Sequence, residues 1–440
     1  MTAPAPLTRQ SGKHPRDPMF WCIAIPAIFA ALASIRLSIP NAPLFDEVHY
    51  LPAAREFLSQ WVGDGGIYRN REHPLLGKQL IAVGMAWLGD NPLGWRIMPL
   101  IAGAVTLSAG MRALWHASHD RFATIAFGIL ASTGFNLLVQ ARIAMLDIFM
   151  AAFLALALWQ FAAAVREPET GRRRLALCGV FIGCALASKW NAVPIAMAFG
   201  IAFLAVRLCA HRRHPLTSRR GAPVPGISLV EAAWWLGIVP LVVYALTFVP
   251  GYALGNAAFP PPLAEQGLIG LHAEMIALQR QVIEPHTYQS GWAQWMWNTR
   301  GIWFLYEYAD GAQRGVLLVG NPLTMIIGLP ALIWCVWSKT RDRDWAKLGA
   351  AGGYAISIGL WIVAPKPVKF YYHYLVPSLF MLAALSLCLS DIRTANRGWI
   401  AYAILVASGV LFAYFLPILT AAPLDDPDAF LRWAWIPGWR

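Results

Sequence analysis

The chain has 440 residues, of which 58% are hydrophobic and 13% charged, and its mean hydropathy is +0.50. An ordinary soluble domain carries about 25% charged residues, so this balance excludes water as the main solvent. A formal charge of +12 suits nucleic acid in principle, but its distribution along the chain assigns it elsewhere.

Apolar blocks long enough to cross a hydrocarbon core of about 30 Å, roughly 20 helical residues each, recur throughout. The first, 19–38, is full length and lacks a small-residue cleavage site, so it is expected to remain as a span. It is followed by a long connecting segment, 40–93, which opens on Asp46-Glu47-Val48-His49-Tyr50. Adjacent carboxylates at a membrane edge are costly unless solvated, paired or used. A carboxylate here suits a general base that deprotonates an acceptor hydroxyl. From Pro52 onward Ala54, Phe57, Leu58 and Trp61 fall on one side and Arg55, Glu56 and Ser59 on the other, predicting an amphipathic helix on the membrane surface. His73-Pro74-Leu75-Leu76-Gly77-Lys78 then starts a second apolar run. Pro at a helix start, free backbone N–H groups and Lys78 one turn on suit a phosphate, and a snorkelling lysine suits the same pattern.

Spans are predicted at 94–116, 122–140, 147–165, 175–188 and 192–210. Very short polar breaks join the middle ones. Gln140 to Asp147 brings Arg142 and Asp147 to one boundary, either as a pair across the turn or as site residues. Lys189-Trp190-Asn191 adds a lone cation at a depth where Lys and Trp also serve as anchors. After a span at 229–250 comes a second long segment, 251–312, with Leu268, Leu271, Met275 and Leu278 on a helical seam. It supplies His272, His286, Tyr288, Ser290 and Trp292. Spans at 315–337, 346–364, 371–389 and 399–420 complete eleven, and Lys366 to Tyr374, including His373, leads into the tenth. The six cysteines sit in or beside apolar blocks in no metal-binding pattern and read as small buried hydrophobes.

With the N-terminus in the cytoplasm, the cytoplasmic loops and span ends carry 20 of the 35 Lys and Arg but 8 of the 23 Asp and Glu, which leaves 15 of each sign on the other face. The entire surplus lies inside, as positive-inside orientation requires. Nucleic acid is therefore not needed to explain the basic charge. Segments 40–93 and 251–312 and the C-terminal tail are expected outside. The chain reads as a single polytopic all-α membrane domain, and carboxylates, His, Arg and Lys from five separate segments converge on the outer face. A transporter places its polar groups near mid-membrane instead, and a purely structural scaffold does not need this set.

The ordered motifs Asp46-Glu47-x-His49, His73-Pro74-x-x-Gly77-Lys78, Arg142 to Asp147, Ser188-Lys189-Trp190, His286-x-Tyr288-x-Ser290-x-Trp292, Gly320-Asn321-Pro322 and Tyr372-His373-Tyr374-Leu375 resemble those of the dolichyl/polyprenyl-phosphate-mannose protein O-mannosyltransferases. The resemblance implies a GT-C fold with about eleven transmembrane helices and outer-face amphipathic helices, without the eukaryotic β-trefoil insert. It further implies an inverting transfer of mannose from a polyprenyl-phosphate donor to Ser or Thr of translocated proteins in a bacterial inner membrane. Asp46 is then the base and Glu47 orients acceptor or sugar. Lys78, Arg142, Lys189 and His373 are expected on the donor's phosphate and sugar, and His49, His73, Asp147, His272, His286 and Tyr288 as further acceptor or sugar contacts. The resemblance assigns no certain cofactor and leaves a divalent cation open. The first two motifs also occur in transferases that place aminoarabinose on lipid A, and Leu75, Thr287 and Gly291 depart from the mannosyltransferase pattern.

Overall fold

The computed structural model describes residues 15–62, 69–210, 215–253, 263–280, 284–342 and 344–440, so parts of both long segments and of the basic loops lie outside the described residues. Helix α1 (Met19–Ser34) is followed by α2 (Glu47–Val62) and α3 (Leu76–Leu88), then by the longest helix, α4 (Pro92–Ser118). Helix α4 starts where its sequence says it should. The Asn91 side chain accepts the amides of Leu93 and Gly94, and Pro92 occupies the first turn, where no N–H is needed.

Helices α5 (Arg121–Ser132), α6 (Asn136–Gln140), α7 (Leu146–Arg166), α8 (Gly171–Ser188) and α9 (Val193–Ala210) build the centre of the bundle. A helical run at Leu229–Leu246, α-helical at both ends and π-helical over Trp234–Ile238, leads to short α12 (Val249–Ala253) and to α13 (Leu263–Gln279), with α10 (Leu229–Ala233) and α11 (Val239–Leu246) as its ends. Then come α14 (Trp292–Met296), strands β1 (Ile302–Ala309) and β2 (Ala312–Leu318), and α15 (Pro322–Asp342), α16 (Trp345–Val363), α17 (Leu375–Ile392) and α18 (Gly398–Leu419).

Among the described residues, six helical stretches are apolar and long enough to cross a membrane, including Pro92–Ser118, Leu146–Arg166 and Trp345–Val363, and four shorter apolar helices accompany them. Ile326, Ile333, Leu241, Val406 and Val410 expose most of their side chains on these helices. So many large apolar groups facing outward mean that the surrounding solvent is lipid. This is a multi-pass membrane protein.

The main departure from the expected all-helical reading is the antiparallel hairpin β1–β2. Its strands take up 302–318, so the helix expected from 315 starts instead at Pro322. The aromatic and β-branched run Ile302–Tyr308 ending on Asp310-Gly311 is a hairpin signal. Both turn residues have positive φ, +48° and +77°, as a two-residue turn of that type demands. Apolarity alone had concealed it. By contrast, both amphipathic segments are helical, and Ala54 and Phe57 of α2, and Leu271 and Met275 of α13, are buried.

Candidate active site

Asp46 is the residue immediately before α2, and its carbonyl accepts the amides of His49 and Tyr50 at 3.0 and 3.1 Å. Phe45, with φ +44°, makes the chain reversal that presents it. Edge-on contacts to Phe304 and Phe370, both at 5.3 Å, and to His286 at 5.6 Å lock that reversal. The carboxylate receives the Tyr50 hydroxyl at 3.4 Å and the Tyr372 hydroxyl, within electrostatic reach of Lys189, Asp147 and His49. Burial pushes its pKa above the ordinary carboxylate value, and the Lys189 ammonium pulls against that rise. A carboxylate so placed is a stronger base than one in water.

Lys189, in the break between α8 and α9, reaches across to Asp147 in the first turn of α7 at 2.6 Å. Its ammonium also lies 5.0 Å above the Tyr372 ring. His373 Nδ1 stands 3.8 Å from the other oxygen of Asp147, and its ring stacks on Trp361 at 3.9 Å. Gln140 Nε2 donates to the Tyr372 carbonyl at 3.0 Å, so α6 also fixes the Tyr371–Tyr374 turn that carries both side chains. Asp46, Asp147, Lys189 and His373, expected from sequence to share a site, do meet.

His73 is close by, 6.0 Å ring to ring from Tyr50, and burial followed by the Lys189, Lys366 and Lys78 charges drives its pKa well below the ordinary value. It is a neutral imidazole at pH 7. Lys366, at the start of the segment that leads into the tenth expected span, extends into the same field of Asp46, Asp147, Glu72 and Lys189, and forms no hydrogen bond or ion pair with a described residue.

Three expected roles meet a different geometry. Glu47 is fully buried and both its oxygens are taken: Oε1 by Arg96 Nε and the Ala144 amide, Oε2 by Arg96 Nη2 and the Leu44 amide. It has no lone pair free to orient an acceptor, and it ties α2 to α4 and to the α6–α7 connection. Arg142 is spent on the carbonyls of Ala33, Ile35 and Arg36 at the end of α1, so its guanidinium clips helices together. Lys78 is buried, donating to the carbonyls of Asn70 and His73 at 2.7 and 2.9 Å. Burial lowers its pKa to about 7 despite Glu72. Lys78 braces the loop that carries His73.

The remaining histidines divide. His272 accepts or donates to Tyr244 at 2.6 Å and bonds the Leu268 carbonyl, so it pins α13 to the bundle beside Trp190. His286 is exposed against Phe45, its Nδ1 accepts the Tyr288 amide at 3.1 Å, and Tyr288 is half-buried beside it. His49 lines an open cleft of about 520 Å³ with Asn70, Arg71, Glu72 and Glu274, three residues along the chain from Asp46. Among the described residues no group of three or more His, Cys, Asp or Glu comes together as a metal site.

Residues 72–222 match the family model described as dolichyl-phosphate-mannose-protein mannosyltransferase, and residues 265–439 match that of the C-terminal four-span region of protein O-mannosyltransferase. The chain is 27% identical to the polyprenol-phosphate-mannose--protein mannosyltransferase of Mycobacterium tuberculosis over 92% of its own length and 88% of the relative. It is 26% identical to the enzyme of the same name from Corynebacterium glutamicum over 96% and 94%. Among solved structures, the S. cerevisiae Pmt1-Pmt2 complex bound to the sugar donor shares its fold at a TM-score of 0.77 with 15% identity, covering 97% of this chain and 93% of that one. ArnT from Cupriavidus metallidurans follows at 0.55 with 16% identity over 94% and 68%. With two family models spanning most of the sequence, relatives of one name along nearly its full length and the shared fold, this chain belongs to the protein O-mannosyltransferase family of membrane glycosyltransferases.

Proposed function

We propose that this protein transfers mannose from a polyprenyl-phosphate donor to Ser or Thr hydroxyls of polypeptides on the outer face of a bacterial inner membrane, with inversion. The observation that carries the reading is one carboxylate, Asp46, held beside two lysines, Lys189 and Lys366, at one end of an apolar bundle. The acceptor hydroxyl attacks the anomeric carbon while Asp46 takes its proton. The bond from that carbon to the phosphate oxygen breaks with its electron pair, leaving a polyprenyl phosphate monoester. That leaving group gains negative charge, so fixed cations serve it better than a general acid. Lys189 and Lys366 supply them, with Asp147 holding Lys189 in place and His373 and Trp361 forming a sugar-facing wall. The excess of basic residues on the opposite loops supports the outer placement.

The test supplies labelled polyprenyl-phosphate mannose and a Ser/Thr-rich peptide to the outer side of right-side-out proteoliposomes. The label is expected on the peptide. Label recovered only in lipid makes this a lipid-modifying transferase, and activity only with peptide inside the vesicles reverses the orientation.

Lys366→Ala is expected to raise the donor KM about tenfold or more, the worth of one charge-assisted hydrogen bond, and to leave the peptide KM within about twofold. Steady-state kinetics with each substrate varied in turn checks this. An unchanged donor KM removes Lys366 from the phosphate site.

A further inference from the structure

The Tyr371–Tyr374 turn brings Tyr372 to Asp46 and His373 to Asp147, and a single short turn does not hold two side chains in register by itself. Its other side is tethered. The Tyr371 hydroxyl, buried in the bundle, donates to Asn298 Oδ1 at 2.9 Å. The same Asn298 side chain receives the Gly320 amide and donates to the Gly320 carbonyl, both at 2.9 Å, which fixes its amide plane. Asn298 is 5% exposed and has φ +55°.

Its backbone is gripped in turn by residues more than a hundred positions later. The Trp439 indole N–H donates to the Asn298 carbonyl at 2.7 Å, Trp303 Nε1 donates to the Trp439 carbonyl at 2.9 Å, and the Gly301 amide bonds the Gly438 carbonyl at 3.3 Å. Position 438 passes so close to the 298–301 turn that a Cβ there would sit 1.9 Å from the Thr299 carbonyl oxygen. Only glycine fits this approach.

We propose that Asn298, clamped by the strap at Gly438 and Trp439, is a positioning residue that holds Tyr371 and thereby sets Tyr372 on Asp46 and His373 on Asp147. None of the four tether residues touches a reacting atom. The proposal rests on the mannosyl-transfer reading for its kinetic consequences and on the hydrogen bonds alone for its structural ones.

Tyr371→Phe retains the ring and removes only the hydroxyl, so it folds. A misplacement of about 1 Å in a catalytic arrangement costs up to about 10²-fold, so Tyr371→Phe and Asn298→Ala are each expected to lower kcat about 10–100-fold with the donor KM within about threefold. Because they act through one bond, the double variant loses little beyond either single one. The acidic limb of the rate profile also moves to higher pH, since Asp46 loses part of the Tyr372 hydrogen bond while Lys189, Lys366, His49, Tyr50 and Asp147 still face it. Hydrogen exchange of residues 370–376, read by mass spectrometry on the same samples and on Gly438→Ala, is expected to accelerate at least tenfold. Wild-type exchange in Asn298→Ala and Gly438→Ala overturns the tether whether or not the wild type transfers mannose. Accelerated exchange with wild-type kcat and pH limb overturns its role in positioning, and a wild type without transferase activity overturns the functional reading alone.

Discussion

Glu47→Gln is expected to destabilise the protein by about 3–5 kcal/mol, the usual consequence of stripping one partner from a buried ion pair. Arg96 and Glu47 are 1% and 0% exposed, and the guanidinium also donates to the carbonyls of Leu37, Pro40 and Ala42. In the variant that guanidinium stays charged and buried, and the new amide N–H₂ points at donors where the wild type has only acceptors. Thermal unfolding of purified protein in detergent checks the loss. Replacing both partners with apolar residues of similar volume removes the orphaned charge, so Glu47→Met with Arg96→Met should be much milder than the sum of the singles. Had Glu47 oriented the acceptor, Glu47→Gln would keep wild-type stability and raise only the peptide KM.

Asp46→Asn is expected to leave the fold intact and lower turnover about 10²–10⁴-fold, the range for loss of a general base. The neighbouring carboxylates therefore fail in opposite ways. The base must be ionised, and burial raises the Asp46 pKa, so the wild-type rate falls as pH drops through a value above about 3.9, the ordinary aspartate figure. Lys189 lowers that pKa. Lys189→Met should therefore move the acidic limb to still higher pH, and the limb should vanish from the residual rate of Asp46→Asn. A pH profile of kcat/KM for the three proteins decides it.

Much of this architecture is legible in composition and charge. Span-length apolar runs dictate a membrane bundle, and motifs at span ends bring Asp46, Asp147, Lys189 and His373 together because short breaks between helices open at one end. Individual roles were less legible. Asp46 and Glu47 are adjacent, yet the start of α2 turns Asp46 towards the Tyr50 and Tyr372 hydroxyls and Glu47 towards Arg96. Sequence does show a signal for that pairing, since Arg96 stands in an apolar stretch at one end of α4 and an intramembrane charge needs a partner. Arg142 and Lys78 have the composition of phosphate ligands, but local carbonyls at the α1 end and in the 70–73 loop compete for their N–H groups and win. Trp439 and Asn298 meet across 141 positions, a separation no local pattern announces. The hairpin before α15 was hidden because a buried strand and the start of a membrane helix are equally apolar.

The most direct test of the account measures turnover by Asp46→Asn at saturating donor and peptide, with donor affinity determined separately on the same preparation. The expected result is wild-type donor binding with turnover reduced about 10²–10⁴-fold. Near-wild-type turnover by this variant, with donor still bound, would contradict Asp46 as the base and with it the proposed mechanism.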